Sequence, residues 1–197
     1  MDNRQQDIRQ IIASSINVKQ QLLESPAIAP LIEQSVEVLT KAFKEGKKVL
    51  FCGNGGSAAD AQHLAAELSA RFYLDRKPLH AEALHVNTSY LTATANDYSF
   101  DAVYSRLVEA KGEAGDVLIG LSTSGNSPNM VKAMEKGKKL GLITIGIIGE
   151  KPSEMDAFCQ LLIKVPSQDT PRIQEAQLLI GHIICQLVER ELFGNPS

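Results

Sequence analysis

With 197 residues, 44% of them hydrophobic and 22% charged, the chain has the composition of a water-soluble domain large enough to bury a core. A net charge of −3 without any basic run excludes a reader of nucleic-acid backbones, which must neutralise phosphates in bulk. The three cysteines, Cys52, Cys159 and Cys185, form no CxxC pair and read as small buried hydrophobes in a reducing compartment, not as a disulfide framework or a zinc knuckle. The N-terminal Met1–Asp7 segment lacks the apolar core of a signal peptide, and no apolar stretch approaches the roughly 20 residues of a membrane span. The expectation is a soluble, cytoplasmic protein.

Ile8, Ile11, Ile12, Ile16 and Leu22–Leu23 recur at helical spacing, so Arg4 to Leu23 reads as a helix that Ser25-Pro26 breaks. A second helix runs from about Ala27 to Phe43 and stops before Gly46. From there the pattern alternates. A strand Lys48–Cys52 leads through Gly53-Asn54-Gly55-Gly56-Ser57 into a helix Ser57–Phe72. A weaker strand near Ala81–Leu84 precedes helices around Ser89–Ala95 and Phe100–Ala110. A strand Asp116–Leu121 leads through Ser122-Thr123-Ser124-Gly125-Asn126-Ser127 into a helix Pro128–Leu140. Strand Ile143–Ile148, a short helix Ser153–Phe158, strand Leu161–Val165 and a long helix Thr170–Leu192 complete the chain. Strands alternating with helices imply right-handed crossovers and a mainly parallel sheet covered on both faces. The fold expected is therefore a three-layer α/β/α sandwich with an N-terminal helical pair and a long C-terminal helix. It reads as one domain over residues 1–197, with residues 1–45 available for oligomer packing and 46–197 forming the α/β core. Leu178–Val188 is apolar nearly all round. Such a helix is buried on several sides, and association of subunits is the expected source of that burial.

Each glycine- and hydroxyl-rich loop joins the end of a strand to the start of a helix, where backbone N–H groups and the helix dipole suit a phosphate. Neither loop has the Lys-Ser/Thr pair of a Walker motif or the glycine spacing of a dinucleotide fingerprint. What remains suits a single phosphate monoester. His63 and Glu67 stand at i, i+4 on the first loop's helix and so share a face. His182 lies in an apolar run where an unpartnered imidazole is costly to bury, so it needs a partner such as a metal or a substrate hydroxyl. Gln174 and His182 are eight residues apart, roughly 12 Å of helix. One ion would require both side chains to lean together, or contributions from different subunits. Asn96-Asp97 reads either as a clamp for substrate hydroxyls or as a helix-terminating turn.

The stretches CGNGGSAADAQHLAAEL (Cys52–Leu68), TATANDYSF (Thr92–Phe100), EAGDVLIGLSTSGNSPNMVKA (Glu113–Ala133) and DTPRIQEAQLLIGHI (Asp169–Ile183) resemble those of sugar isomerase (SIS) domains, and within them the phosphoheptose isomerase group. The resemblance implies a cytoplasmic homotetramer acting on a phosphorylated seven-carbon sugar, sedoheptulose 7-phosphate, for heptose, lipopolysaccharide or surface-glycan biosynthesis. It implies substrate contacts from Asn54, Gly55, Gly56, Ser122, Thr123, Ser124 and Ser127, with Asn96, Asp97, Glu67 and Gln174 positioning the sugar. It further implies one zinc ion per subunit on His63, Glu67, Gln174 and His182, and an acid–base pair of Glu67 and His182. A second reading by resemblance is a non-enzymatic adaptor that binds the replication initiator DnaA. That relative lacks counterparts of Glu67 and His182, whose presence here favours the enzyme.

Overall fold

A computed structural model of the chain describes residues 3–195. Among these residues, two N-terminal helices, α1 (Asn3–Glu24) and α2 (Ile28–Lys44), precede β1 (Val49–Gly53) and α3 (Gly56–Ser69). The short strand β2 (Ala81–Ala83) is followed by α4 (Thr88–Asp97), a 3-10 turn at Phe100–Ala102 and α5 (Val103–Lys111). Then come β3 (Val117–Ser122), α6 (Pro128–Leu140), β4 (Ile143–Gly149), a 3-10 turn at Glu154–Ala157, β5 (Leu161–Val165) and α7 (Thr170–Phe193). The strands form one sheet in the order β2-β1-β3-β4-β5, and every adjacent pair is parallel.

The central strands are apolar runs without alternation because both faces are covered; every residue of β1 and β3 is buried. On one face, α2, α3 and α7 pack around Leu39, Phe51, Leu64, Leu68, Ile119 and Ile184. On the other, α5 and α6 pack around Leu50, Tyr104, Val108, Leu118, Met130 and Met134. This is the three-layer sandwich anticipated from the pattern. Helix α6 shows local encoding at both ends: Pro128 opens it, and Gly141 closes it in the left-handed conformation (φ +78°).

Three expectations need correction. The apolar spacing Leu64, Leu68, Phe72 predicts a helix reaching Phe72, but α3 ends at Ser69. The N–H groups of Phe72, Tyr73 and Leu74 donate to the carboxylate of Glu189 instead of continuing the helical ladder. The helix expected over Phe100–Ala110 opens as a separate 3-10 turn before α5 begins at Val103, and the one expected over Ser153–Phe158 is only a 3-10 turn at Glu154–Ala157. Helix α7, whose burial the sequence assigned to neighbouring subunits, is not enclosed within one copy of the chain: Leu178, Leu179, Ile183 and Leu187 are half-buried. Leu179, Ile183 and Leu187 line an open groove of about 1210 Å³ with Leu22, Ile28 and Val36. Beside it, α1 exposes Ile8, Ile11, Ile12 and Ile16, each by more than half.

Candidate active site

The sheet changes winding direction between β1 and β3, since β2 lies to one side of β1 and β4 to the other side of β3. Loops leaving the carboxyl ends of two such strands diverge, and a crevice opens between them. The two loops singled out in the sequence are the ones that follow β1 and β3.

In the first loop, Gly55 adopts φ +56°, ψ −122°, a conformation that an L side chain rarely reaches. Gly55 and Gly56 are exposed and Asn54 is half-buried. In the second loop, the Ser122 hydroxyl accepts from Gly125 N–H (3.0 Å) and that of Ser124 from Asn126 N–H (3.2 Å). Ser122 is thus a turn-former that shapes the loop, whereas Ser124 is exposed and Thr123 and Ser127 are half-buried beside the start of α6. Two reciprocal amide hydrogen bonds, both 2.9 Å, tie the loops together: Asn54 Nδ2 donates to Asn129 Oδ1, and Asn129 Nδ2 donates to Asn54 Oδ1. Asn129 is 2% exposed. Underneath, the Tyr104 hydroxyl donates to Gly53 O. Neither Asn129 nor Tyr104 carries a local sequence signal; each is defined by a partner 75 or 51 residues away.

Helix α7 runs alongside α3 in the same direction, as Ser57 meets Gln177 (3.1 Å) near their starts and Phe72 N–H meets Glu189 (3.2 Å) beyond the end of α3. The approach is close because residue 181 is glycine: a Cβ there would lie 2.3 Å from Leu64 Cδ1. His63 Nε2 consequently lies 3.0 Å from His182 Nε2 and 3.2 Å from Glu67 Oε1. The donor atoms of all three lie within 4.8 Å of one another. Burial, and then the neighbouring His63, hold the His182 imidazole below its usual range, with Glu67 opposing them. A neutral imidazole with a free lone pair is what a metal ligand or a proton acceptor requires.

Gln174 is placed elsewhere within one chain. Its carboxamide packs on Gly56, where an added Cβ would lie 2.5 Å from Nε2. That is the end of α3 that adjoins the first glycine loop, about two helical turns before His63. Asn96 and Asp97 form the last residues of α4, not a turn beyond it. Both are exposed, and Asn96 Nδ2 donates to Asp97 Oδ1 at 2.9 Å. One chain thus brings the two loops and Gln174 together at one end of α3, and His63, Glu67 and His182 together further along it.

Comparison with known proteins gives a consistent picture. The family profile described as SIS domain matches residues 12–149. A phosphoheptose isomerase of Clostridium acetobutylicum is 54% identical over 184 residues, covering 93% of this chain and 94% of that protein. A Campylobacter jejuni protein named phosphoheptose isomerase 2 is 50% identical over 195 residues, covering 99% and 97%. The solved structure of a phosphoheptose isomerase from Neisseria gonorrhoeae matches with a TM-score of 0.89 at 38% identity, over 95% of this chain and 99% of that one.

Proposed function

This chain belongs to the SIS domain family, within its phosphoheptose isomerase group, and from that premise we infer that it converts sedoheptulose 7-phosphate to D-glycero-D-manno-heptose 7-phosphate. The observation that carries the mechanism is the convergence of His63, Glu67 and His182 on helices whose first turns stand at the phosphate loops. The Ser/Thr loop and the start of α6 hold the phosphate. Asn54, Gly55, Gly56 and Gln174 line the same end, and Asn96 and Asp97 position sugar hydroxyls.

Ketose–aldose exchange moves a proton between C1 and C2 through an enediol. It needs a base at carbon and charge stabilisation at oxygen. Glu67 and His182 share the proton transfers: the carboxylate removes the carbon-bound proton, and the imidazole serves the oxygens. The donor set also fits zinc. Bonds of about 2.0–2.1 Å in tetrahedral array place ligand atoms roughly 3.3 Å apart, close to the 3.0 and 3.2 Å separations around His63 Nε2. A zinc ion bound by His63, Glu67 and His182 would supply Lewis acidity to the sugar oxygens; a carboxylate so held is a weaker base, and part of the proton transfer would pass to His182 or a water. Gln174 would complete the set by reorienting or by coming from a neighbouring subunit.

The exposed isoleucines of α1 and the apolar groove along α7 support a homotetramer, assembled through residues 1–45 of a single SIS unit. No described helix is long and apolar enough to cross a membrane, which agrees with a cytoplasmic enzyme feeding heptose to lipopolysaccharide or another glycan. The adaptor reading is less well supported, because Glu67 and His182 are both present and adjoin a common centre.

Incubation with sedoheptulose 7-phosphate, with and without a chelator, tests the activity and its metal dependence. Glu67→Gln is expected to lower turnover by about 10²–10⁴-fold with fold and assembly intact. Near-normal turnover by that variant would defeat the assignment.

A further inference from the structure

Beyond the end of α3 lies a cluster that the reaction scheme has not used. Arg76 and Glu189 form a salt bridge (Nε to Oε1, 2.8 Å) with side chains only 3% and 2% exposed. Such a pair adds little net stability compared with apolar packing of the same volume, so its partners say more about its role than its charge does. The Glu189 carboxylate accepts from three successive backbone N–H groups, Phe72 (3.2 Å), Tyr73 (2.8 Å) and Leu74 (3.1 Å). The Arg76 guanidinium donates to the carbonyls of Glu67 (2.9 Å), Leu68 (2.8 Å), Ala70 (3.4 Å) and Lys77 (3.1 Å). Arginine's planar fork can serve several acceptors at fixed angles, as an ammonium cannot.

Two of these contacts lead back to the acid–base pair. Glu67 is itself one of the residues whose carbonyl Arg76 holds. Phe72, pinned by Glu189 through its N–H, stacks its ring on the His182 imidazole, with centroids 5.6 Å apart and planes 27° from parallel. Tyr73 braces that ring edge-on at 4.6 Å. Glu189 stands two turns after His182 on α7, so one helix presents both the imidazole and the carboxylate that orders the loop covering it.

We propose that Arg76, Glu189 and Phe72 are positioning residues that lock the end of α3 and the ring of His182 into the register in which Glu67 and His182 work as a pair. The proposal rests on the acid–base reading given above. Groups of this kind act through the residues they hold, and losing one typically costs about 10- to 100-fold in activity.

The test uses the full-length, assembled protein in four variants, Phe72→Ala, Phe72→Tyr, Arg76→Gln and Arg76→Lys, with Glu67→Gln as reference. Steady-state turnover of sedoheptulose 7-phosphate is measured beside the thermal midpoint and the oligomer mass. Phe72→Ala should lower kcat roughly 10- to 100-fold at unchanged KM, because the phosphate end is built by other loops, and by more than any fall in thermal midpoint from the lost core packing accounts for. Phe72→Tyr should return kcat to within about threefold by restoring the stacked ring. Arg76→Gln and Arg76→Lys should both stay depressed, since neither spans Glu189 and the helix carbonyls together. Wild-type kcat in Phe72→Ala, or a loss of activity in all variants that merely follows the loss of folded protein, overturns the proposal. If Arg76→Gln does not fold, the Phe72 pair decides alone. Activity in Glu67→Gln would sink the acid–base reading itself. A dead Glu67→Gln beside fully active Phe72 and Arg76 variants would sink only the clamp.

Discussion

Gly181→Ala tests whether the close approach of α3 and α7 is what assembles the site. The added methyl carbon would lie 2.3 Å from Leu64 Cδ1 and 2.6 Å from Cδ2, roughly 1.5 Å short of the ~3.8 Å at which carbons rest. Leu64 is 1% exposed, and the cavity it lines with Gly181 holds only about 10 Å³, too little to take up the displaced side chain, so the helices must part. Overpacking of this kind costs about 1–3 kcal/mol, which a domain of this size survives. The site does not: a shift of that size carries the 3.0 Å His63–His182 separation to roughly 4.5 Å, and a 1 Å misplacement can cost about 10²-fold in rate. Urea unfolding, zinc titration by calorimetry and kcat on sedoheptulose 7-phosphate would be measured together. Activity and metal affinity should fall far more than stability. In a Leu64→Ala background the same substitution should become nearly neutral, since the clashing atoms are gone. A Gly181→Ala protein that binds zinc and turns over normally would refute the reasoning.

Other perturbations address separate parts of the molecule. Asn129→Leu removes both 2.9 Å amide bonds to Asn54, at about 1 kcal/mol each. If that loss appears in substrate binding, KM rises up to roughly 30-fold, and an unchanged KM would show that the loops do not need the tie. Asp116, with a side chain 1% exposed, pairs with Lys48 Nζ at 2.7 Å. Burial pushes its carboxyl up, but the Lys48 ammonium and the N–H groups of Lys48 and Glu113 outweigh this and hold it below the ordinary carboxylate range. Its stabilisation is therefore complete above the unfolded value near ~4 and is lost as pH falls through the lower folded value. Asp116→Asn should be destabilised by about 3 kcal/mol at pH 7, with the gap narrowing as acid is added; a gap independent of pH would contradict this. Ile12→Glu combined with Ile16→Glu, at positions 55% and 60% exposed, should reduce the assembly mass in light scattering. The fold of each chain should be left in place.

The layers were legible in the sequence because their causes are local. The run Val117–Leu121 is apolar throughout, as a strand covered on both sides must be, and Pro128 and Gly141 bracket α6. The loops were legible for the same reason, since glycine and hydroxyl residues at a strand-to-helix junction act through neighbouring backbone. The pairing of His63 with Glu67 followed from helical spacing alone. What lay beyond reach depended on distant partners. The end of α3 is set by a carboxylate 117 residues away at Glu189, and His182 meets its partner across 119 residues. Gln174 could be placed only once the parallel course of α3 and α7 was known, because its spacing from His182 along one helix does not say which neighbour it faces.

That parallel course has an evolutionary corollary. His63 follows Gly56 by seven residues, about 10.5 Å at 1.5 Å per residue, so on the proposed function the anchoring end and the reacting end are marks on one rigid scale. Exchanging side chains at either end alters grip or chemistry but leaves their separation alone. A descendant adapted to a sugar of different length would have to move His63, Glu67 and His182 together by a whole helical turn, a coordinated change that point mutations reach poorly. Divergence should therefore have gone more readily toward new stereochemistry at fixed chain length.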